Sequence, residues 1–276
     1  MKLSSETLRR RLSESQWTSH NIRLDTEVTT IPGAPDFLES DGRLRAILRV
    51  LDTLYEGGLS GLRIADLGSL EGGYALALAR RGARVLGIEA RASNFAKLAL
   101  IQEHFELPNL AFVRGDVKDF RLESYGEFDA VLALGILYHL DQPAKWLSQI
   151  APAVKKVLVV DSHYAPADDQ GLHLLHSSFA QLGPLERIES DGWTCQGRWF
   201  PEFPEGTDLE TQPWASYSNP RSFWMTKESL LFALRRAGFS ILLEQHDANL
   251  DHYGVFSTEC PRAMFVALKP PNTRAA

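Results

Sequence analysis

The chain has 276 residues, a net charge of −6 at neutral pH and a sequence pI near 5.8. Apolar residues make up 44% and charged residues 23%, which is typical of one folded domain with a sizeable core. The acidic balance argues against a nucleic-acid binder, because basic side chains supply most non-specific affinity for phosphates. No apolar run approaches the about 18 residues of a membrane helix, and none follows the basic start as in a secretory signal. We therefore expect a cytoplasmic protein without a membrane span, and the isolated Cys195 and Cys260 indicate no disulfide or metal site.

The first predicted strand, turn and helix occupy residues 64–81. A short apolar run ends at Asp66 and Gly68, a glycine-bearing turn follows, and a helical stretch begins near Tyr74. In doubly wound sheets ligands bind at such a turn, because backbone N–H groups and a helix N-terminus face the crevice. Taken alone, the glycines are equally consistent with an ordinary tight turn.

The next predicted strand, residues 83–89, ends on a second carboxylate. Glu89 follows Asp66 by 23 positions, close to the roughly 20 at which an acidic residue binds ribose hydroxyls in nucleotide-binding folds. A dinucleotide fingerprint would place a second glycine where this chain has Leu70, and Glu71 would add a further negative charge beside a pyrophosphate. The turn therefore favours a nucleoside that carries an ammonium group and no phosphate, and S-adenosylmethionine has this character.

Three more apolar runs extend the pattern. Residues 110–113 lead to Asp116 and Val117, which are placed to contact an adenine ring, and the other two predicted strands are residues 128–134 and 157–163. Strands that alternate with helical segments over about a hundred residues indicate a parallel α/β sheet.

With these motifs in place, the chain resembles the class I S-adenosylmethionine-dependent methyltransferases over about residues 60–165. Residues 134–140 read Leu-Gly-Ile-Leu-Tyr-His-Leu, similar to a G-[VIL]-L-Y-H motif of the tRNA wobble-uridine carboxymethyltransferase and of many small-molecule methyltransferases. The resemblance implies a Rossmann-like fold with a seven-stranded, mostly parallel sheet and an antiparallel C-terminal hairpin, and S-adenosyl-L-methionine as cofactor. The implied cofactor-binding residues are Asp66, Gly68, Ser69, Glu71, Gly72, Glu89, Asp116, Val117, Leu134 and Gly135. Leu70 departs from the glycine of the family pattern.

The remaining sequence surrounds this methyltransferase region. We expect an N-terminal helical extension, a methyltransferase domain, and a lid or substrate insertion after the fifth strand, at residues 1–60, 61–276 and 165–223. The predicted closing hairpin comprises residues 240–244 and 263–268.

Aromatic and polar side chains suggest where an acceptor binds. The insertion is long and rich in aromatic residues, which disfavours disorder and suits an apolar ring or a sugar face. The loop at residues 17–23 adds aromatic, imidazole and amide groups. The candidate substrate residues are Trp17, His20, Asn21, Tyr138, Trp193, Trp199 and Trp214. The alternative is that Trp17 pins its loop and that the insertion aromatics form a satellite core.

Two histidines are candidates for catalysis on a hydroxyl acceptor, for which a general base is useful. His163 follows Asp161 by two positions, so both side chains can share one face of a strand. We expect His163 to act as general base, oriented by Asp161. His139 is the second candidate, with a structural role before a helix as its alternative.

A metal site is the other interpretation of this neighbourhood. Acidic residues and histidines crowd into one stretch, namely Asp161, His163, Asp168, Asp169, His173 and His176. Mg²⁺ requires near-octahedral oxygen ligands, which a flexible loop rarely supplies, so we expect no metal.

The sequence thus predicts methyl transfer to a small molecule, at a hydroxyl of a sugar or secondary metabolite. The alternatives are a tRNA-modifying methyl- or carboxymethyltransferase of the wobble-uridine type, an NAD-binding oxidoreductase, and a cofactor-binding regulatory subunit. Carboxymethyl transfer would need a cationic residue for the donor's extra carboxylate, and the sequence singles out none. The oligomeric state stays open.

Overall fold

The computed structural model describes residues 2–169, 181–190, 192–245 and 261–270. Within these ranges the strands are β1 Arg63–Leu67, β2 Arg84–Glu89, β3 Leu110–Arg114, β4 Phe128–Leu134, β5 Val154–His163, β6 Leu185–Ser190, β7 Trp193–Pro201, β8 Arg221–Met225, β9 Ile241–Gln245 and β10 Arg262–Leu268. The helices are α1 Ser5–Ser13, α2 Gly42–Leu54, α3 Gly73–Arg80, α4 Ala92–Phe105, α5 Leu122–Tyr125, α6 Pro143–Ile150 and α7 Lys227–Arg236.

Seven strands form one sheet in the order β3-β2-β1-β4-β5-β10-β9. Strands β1, β2 and β3 pair in parallel, as do β4 and β5, whereas β10 runs antiparallel to both of its neighbours. This arrangement confirms the predicted Rossmann-like α/β fold with an antiparallel C-terminal strand pair. The predicted insertion contains a separate antiparallel sheet in the order β6-β7-β8.

The chain divides into two compact units, Met1–Val117 and Lys118–Ala276. In the first unit, the Asp41 side chain caps α2 by accepting from the Leu44 N–H at 2.8 Å. Leu44, Ile47 and Leu51 recur at helical spacing and are buried, so α2 presents one apolar stripe to the core. The predicted domain boundary at residue 60 stays a prediction.

The second unit contains the largest antiparallel pairing of the main sheet. Strand β10 pairs with β5 in a register that sets Arg262 opposite His163 and Met264 opposite Asp161. Residues directly opposite each other on paired strands have their side chains on the same face of the sheet, as do residues two positions apart on one strand. Arg262 therefore lies on the same face as His163 and Asp161. Thr226 caps α7 through its hydroxyl, which accepts from the Ser229 N–H.

No helix in the described ranges has the length and apolar character needed to cross a membrane.

Candidate active site

The loop after β1 is pinned to the end of β2 by backbone hydrogen bonds. The N–H groups of Gly68 and Ser69 both donate to the carbonyl of Ile88, at 2.8 and 3.0 Å, and the Ser69 hydroxyl donates to the carbonyl of Asp66. Gly68 and Gly72 have φ values of 70° and 74°, a left-handed conformation that glycine adopts at little cost. The predicted turn is therefore fixed before any ligand arrives.

Close packing favours glycine at position 72. A Cβ there would lie 2.7 Å from Cδ2 of Leu98, so the Leu98 side chain would have to shift. Leu70, which stands where the family pattern has glycine, has a φ of 52° and therefore carries backbone strain in this loop.

Two buried carboxyl groups lie at the ends of β1 and β2. Asp66 is 3% exposed, and its Oδ2 atom has no hydrogen-bond partner among the described residues. Burial raises the pKa of Asp66 to about 7. Glu89 accepts from the N–H groups of Leu70 and Arg91, both at 2.9 Å. Burial raises the pKa of Glu89 as well, although these two hydrogen bonds oppose the rise.

Glu71, predicted to contact the cofactor, holds the N-terminal loop. One carboxylate oxygen accepts from the Thr18 N–H at 2.7 Å and the Lys97 ammonium at 2.9 Å. The other accepts from the N–H groups of Ser19 and His20, at 3.0 and 2.8 Å. Burial would raise the pKa of Glu71, but the N–H of His20 and the charge of Lys97 outweigh it and lower that pKa. A cofactor contact by Glu71 stays a prediction.

Two of the substrate candidates in this loop are used to build it. Nδ1 of His20 accepts from the Gly73 N–H at 3.0 Å, at the start of α3. Burial lowers the pKa of His20 to about 4, so the imidazole is neutral. The Asn21 amide donates to the carbonyl of Asp36 and accepts from the N–H of Ile31. These contacts hold the N-terminal loop in place, and contact of His20 and Asn21 with substrate stays a prediction.

The other candidates of the first unit have different environments. Trp17 is 7% exposed, its indole N–H has no hydrogen-bond partner among the described residues, and the Lys97 ammonium lies 5.7 Å from its ring centroid. Asp116 is half-buried and Val117 is buried, directly after β3. Their predicted contact with adenine stays a prediction.

A buried ion pair dominates the second unit. Arg262 donates from Nε and Nη2 to the two oxygens of Asp161, at 2.9 and 2.6 Å. The Asp161 side chain is fully buried and that of Arg262 is 7% exposed. The backbone carbonyl of Asp161 also accepts from the N–H of Gly135, a predicted cofactor residue with φ of 71° that follows Leu134 at the end of β4. Asp161 therefore serves primarily to neutralise Arg262.

The surroundings of His163 argue against the predicted general base. Its Nε2 lies 3.3 Å from Nη1 of Arg262, and an imidazole N–H donates to the carbonyl of Pro261. Burial, reinforced by the charge of Arg262, lowers the pKa of His163 to about 3. The ring stacks on Trp224 at 5.1 Å and meets the edge of Tyr138 at 4.7 Å. A base needs an open lone pair and a pKa near the working pH, and here a guanidinium occupies the lone pair.

His139, unlike His163, has one ring nitrogen held by a carboxylate and the other left without a hydrogen bond among the described residues. It ends a short 3-10 turn after β4, and its Nδ1 lies 2.9 Å from a carboxylate oxygen of Glu202. The Glu202 side chain is 2% exposed, and its second oxygen accepts from the Ser216 N–H at 2.9 Å. Nε2 of His139 makes no hydrogen bond within the described part of the chain.

The aromatic residues of the insertion divide between the two faces of its small sheet. Phe200 and Trp224 stack at 5.1 Å on one face, and Tyr138 packs against them. Trp199 meets Phe223 at 5.1 Å on the other face, because side chains alternate along a strand. The substrate candidates Tyr138 and Trp199 therefore do not line one continuous aromatic surface.

Two further substrate candidates lie apart from this stack. Trp193 packs against Phe232 of α7 at 5.0 Å, and Trp214 is 57% exposed. Among the described residues no group of three or more histidine, cysteine, aspartate or glutamate side chains could hold a metal ion. His173 and His176 lie outside the described residues.

Comparisons with known proteins bear on the family and the fold. Residues 65–157 match the family model for a methyltransferase domain. The tRNA U34 carboxymethyltransferase of Dichelobacter nodosus (strain VCS1703A) is 25% identical over 194 residues, covering 68% of this chain and 60% of the relative. The ubiquinone biosynthesis O-methyltransferase of Acinetobacter baylyi (strain ATCC 33305 / BD413 / ADP1) is 30% identical over 101 residues, covering 37% and 42%. The chain thus spans less than two thirds of either relative.

Solved structures match over more of the chain. The N-terminal domain of EvdMO1, crystallised in the presence of SAH and D-fucose, aligns with a TM-score of 0.71 at 24% identity and covers 98% of both chains. The magnesium protoporphyrin IX methyltransferase of Synechocystis PCC 6803, with bound SAM, aligns at 0.51 and 16% identity, covering 87% of both. The chain contains a class I S-adenosylmethionine-dependent methyltransferase domain. The predicted family, fold and cofactor are thereby confirmed.

The residues of this methyltransferase domain fit the cofactor. The Oδ2 atom of Asp66, which has no hydrogen-bond partner among the described residues, is a buried acceptor suited to an ammonium group, and the fixed carboxylate of Glu89 suits ribose hydroxyls. Both groups stand at carboxyl ends of parallel strands, where ligands bind in such sheets.

Four contributors to these clusters were not among the predicted site residues, namely Lys97, Glu202, Trp224 and Arg262. Arg262 is brought to Asp161 by strand register across 101 positions, and Glu202 reaches His139 across 63. No local motif signals either pairing. Trp224 was visible only as the last aromatic residue of the insertion.

Proposed function

We propose that this methyltransferase transfers a methyl group from S-adenosylmethionine to a hydroxyl of a small molecule, a sugar or a secondary metabolite. When bound, the cofactor supplies an electrophilic methyl group on a sulfonium sulfur. The observation that carries the proposal for an oxygen acceptor is the His139 imidazole, held through Nδ1 while Nε2 is open among the described residues. An alcohol gains from such a base during methylation.

The chain's own residues have separable tasks in this reaction. Asp66 and Glu89 would hold the ammonium and ribose ends of the cofactor, and Asp116 with Val117 would contact the adenine. Tyr138 and the neighbouring aromatic rings would exclude water from the acceptor. Alignment of the reacting groups is the main requirement, and it can supply roughly 7–11 kcal/mol of the barrier.

A sugar acceptor has support from outside the chain's own geometry. The EvdMO1 domain that matches over 98% of both chains was crystallised in the presence of D-fucose.

The basic side chains of α1 argue against a phosphate-binding surface, because Arg9 and Arg11 pair with Glu27 and Glu103 at 3.0 and 3.2 Å. Paired arginines offer less net positive charge to a nucleic acid.

The second candidate function is carboxymethyl transfer to tRNA. It is favoured by the Dichelobacter nodosus relative and by Arg262, a buried cation that the sequence did not single out. The Asp161 carboxylate already balances the charge of Arg262, so the extra carboxylate of such a donor would compete with an internal partner.

The test uses S-adenosylmethionine labelled in its methyl group, with a panel of monosaccharides that includes D-fucose, and with total tRNA in parallel. We expect label in one or more monosaccharides, and none in tRNA. Protein carrying Glu89→Ala at limiting cofactor is the matched control and should incorporate less label. Label in tRNA alone would overturn the proposal, and incorporation only from a carboxylated donor would establish the second candidate.

A further inference from the structure

Glu202 is a buried carboxylate supplied by the insertion to the histidine that follows β4. It comes directly after β7, and its side chain is 2% exposed. One oxygen contacts Nδ1 of His139 and the other accepts from the Ser216 N–H, both at 2.9 Å. A buried carboxylate is tolerated only when hydrogen bonds compensate its lost hydration, and both oxygens here have a partner.

This contact determines which imidazole nitrogen carries the proton. A carboxylate can only accept a hydrogen bond, so Nδ1 of His139 must be the donor. In the neutral ring the lone pair is then on Nε2, the nitrogen without a hydrogen bond among the described residues. The carboxylate therefore prepares Nε2 to accept a proton.

The local backbone is also held by hydrogen bonds in which the Glu202 side chain takes no part. The Asn219 amide donates to the carbonyl of His139 at 3.0 Å, and the N–H of Phe223 donates to the carbonyl of Leu140 at 2.8 Å. The turn after β4 is thus fastened to the segment before β8 and to β8 itself. What the carboxylate adds is control of the imidazole ring.

We infer that Glu202 is a positioning residue that fixes the tautomer of His139, so that Nε2 acts as general base on the acceptor hydroxyl; this inference rests on the proposed function. As the acceptor oxygen bonds to the methyl carbon, the carbon–sulfur bond breaks and its electron pair stays on sulfur. The hydroxyl proton passes to Nε2, and the imidazolium then returns it to water. The products are a methyl ether and S-adenosylhomocysteine.

The first measurement is the ¹⁵N shift of the imidazole nitrogens in histidine-labelled full-length protein without ligand. His139→Asn assigns the His139 signals by their loss. We expect wild-type His139 in its neutral form to be protonated at Nδ1. In Glu202→Gln the side chain keeps only one acceptor oxygen for two donors. If that oxygen accepts from the Ser216 N–H, the amide NH₂ faces Nδ1 of His139. Because an NH₂ group can only donate, Nδ1 must then accept and the imidazole proton moves to Nε2. Glu189→Gln, a matched change at a carboxylate on β6 that accepts from Thr194, should leave the shifts unchanged.

The second measurement is methyl transfer to the monosaccharide that the panel selects. His139→Asn can still donate to Glu202 from its amide but has no base, so a merely structural role would survive in this variant. We expect its kcat to fall by about 10²–10⁴, with the affinity for S-adenosylhomocysteine changed less than about twofold. Glu202→Gln should lower kcat in the same direction, and KM should change less than kcat.

The outcomes separate the two proposals. Protonation of wild-type His139 at Nε2, or a tautomer unchanged by Glu202→Gln, would overturn the positioning role whatever the acceptor is. Turnover that survives both His139→Asn and Glu202→Gln would overturn the base. Absence of label from every hydroxyl compound would instead refute the proposed function, and the ¹⁵N shifts would still report the tautomer. If Glu202→Gln fails to fold, His139→Asn alone decides the role of the base.

Discussion

In the unit of residues 1–117, the three carboxylates around the loop after β1 come from one short stretch of chain, whereas the cluster of the second unit joins distant segments. Asp66, Glu71 and Glu89 lie within 24 consecutive residues. Asp161 and Arg262, by contrast, are 101 positions apart. The first arrangement follows from a strand–turn–helix motif, and the second depends on strand register. Each unit also buries an ion pair, Glu71 with Lys97 in the first and Asp161 with Arg262 in the second. Glu71 differs from Asp161 because its side chain also accepts from three backbone N–H groups of the N-terminal loop.

The largest effect on stability is expected for Glu71→Gln. The substitution leaves the buried Lys97 ammonium without its counter-charge and offers one oxygen to the N–H groups of Thr18, Ser19 and His20. Breaking a buried ion pair costs about 3–5 kcal/mol. The substitution also removes one carboxylate oxygen that accepts from backbone N–H groups, which places this variant at the upper end of that range. Urea unfolding measures the loss. Wild-type-like stability would show that the N-terminal loop does not depend on Glu71.

His163 in the second unit and Asp66 in the first should make opposite contributions to the pH dependence of stability. The folded state holds His163 with a pKa of about 3 against an ordinary value of 6.5. The unfolded chain therefore binds more protons between these values, so the free energy of unfolding should fall as the pH drops below about 6.5. The contribution of His163 is up to about 5 kcal/mol. Unfolding of His163→Gln should show a shallower acid loss, and an unchanged slope would contradict the assignment.

Asp66 provides the contrast within the same titration. Its pKa is raised from 3.8 to about 7, so the folded state holds the extra proton, and stability should decline as the pH rises from about 4 to 7. Asp66→Asn removes this decline. A variant that keeps the wild-type slope in this window would show that Asp66 is ionised in the folded protein.

A smaller loss, about 3 kcal/mol, is expected for Arg262→Met, because Asp161 is left buried without its bidentate partner. Asp161 can respond by taking up a proton, which limits the cost. The double variant Asp161→Asn, Arg262→Met should recover part of the loss, and urea unfolding of all three variants gives the coupling energy. Simple additivity of the two substitutions would mean that the pair contributes nothing beyond its separate parts.

The smallest of these effects concerns binding. Glu89→Ala should weaken S-adenosylhomocysteine binding by roughly 1–3 kcal/mol, because it removes charged acceptors for ribose hydroxyls. Calorimetry measures the affinity, and Glu27→Gln, on the exposed surface of the same unit, is the control. Equal affinity in wild type and Glu89→Ala would remove Glu89 from the cofactor site.

The sequence by itself determined the fold and the cofactor. Strand-length apolar runs, the glycine turn with Asp66 and the spacing to Glu89 are local signals, because strand, turn and ribose carboxylate lie within a few tens of residues. The comparisons confirmed both conclusions. The sequence pattern also indicated the closing strands, although β9 begins and ends one residue later than predicted and β10 begins one residue earlier.

Only the tertiary structure decided what surrounds each histidine. Sequence spacing placed His163 beside Asp161, but the pairing of β10 with β5 brings Arg262 between them and occupies both. His139 looked structural from its position before a helix, and the fold of the insertion gives it Glu202. Such side-chain pairings depend on strand register and loop packing across 63–101 positions, and no periodicity in a single sequence encodes them.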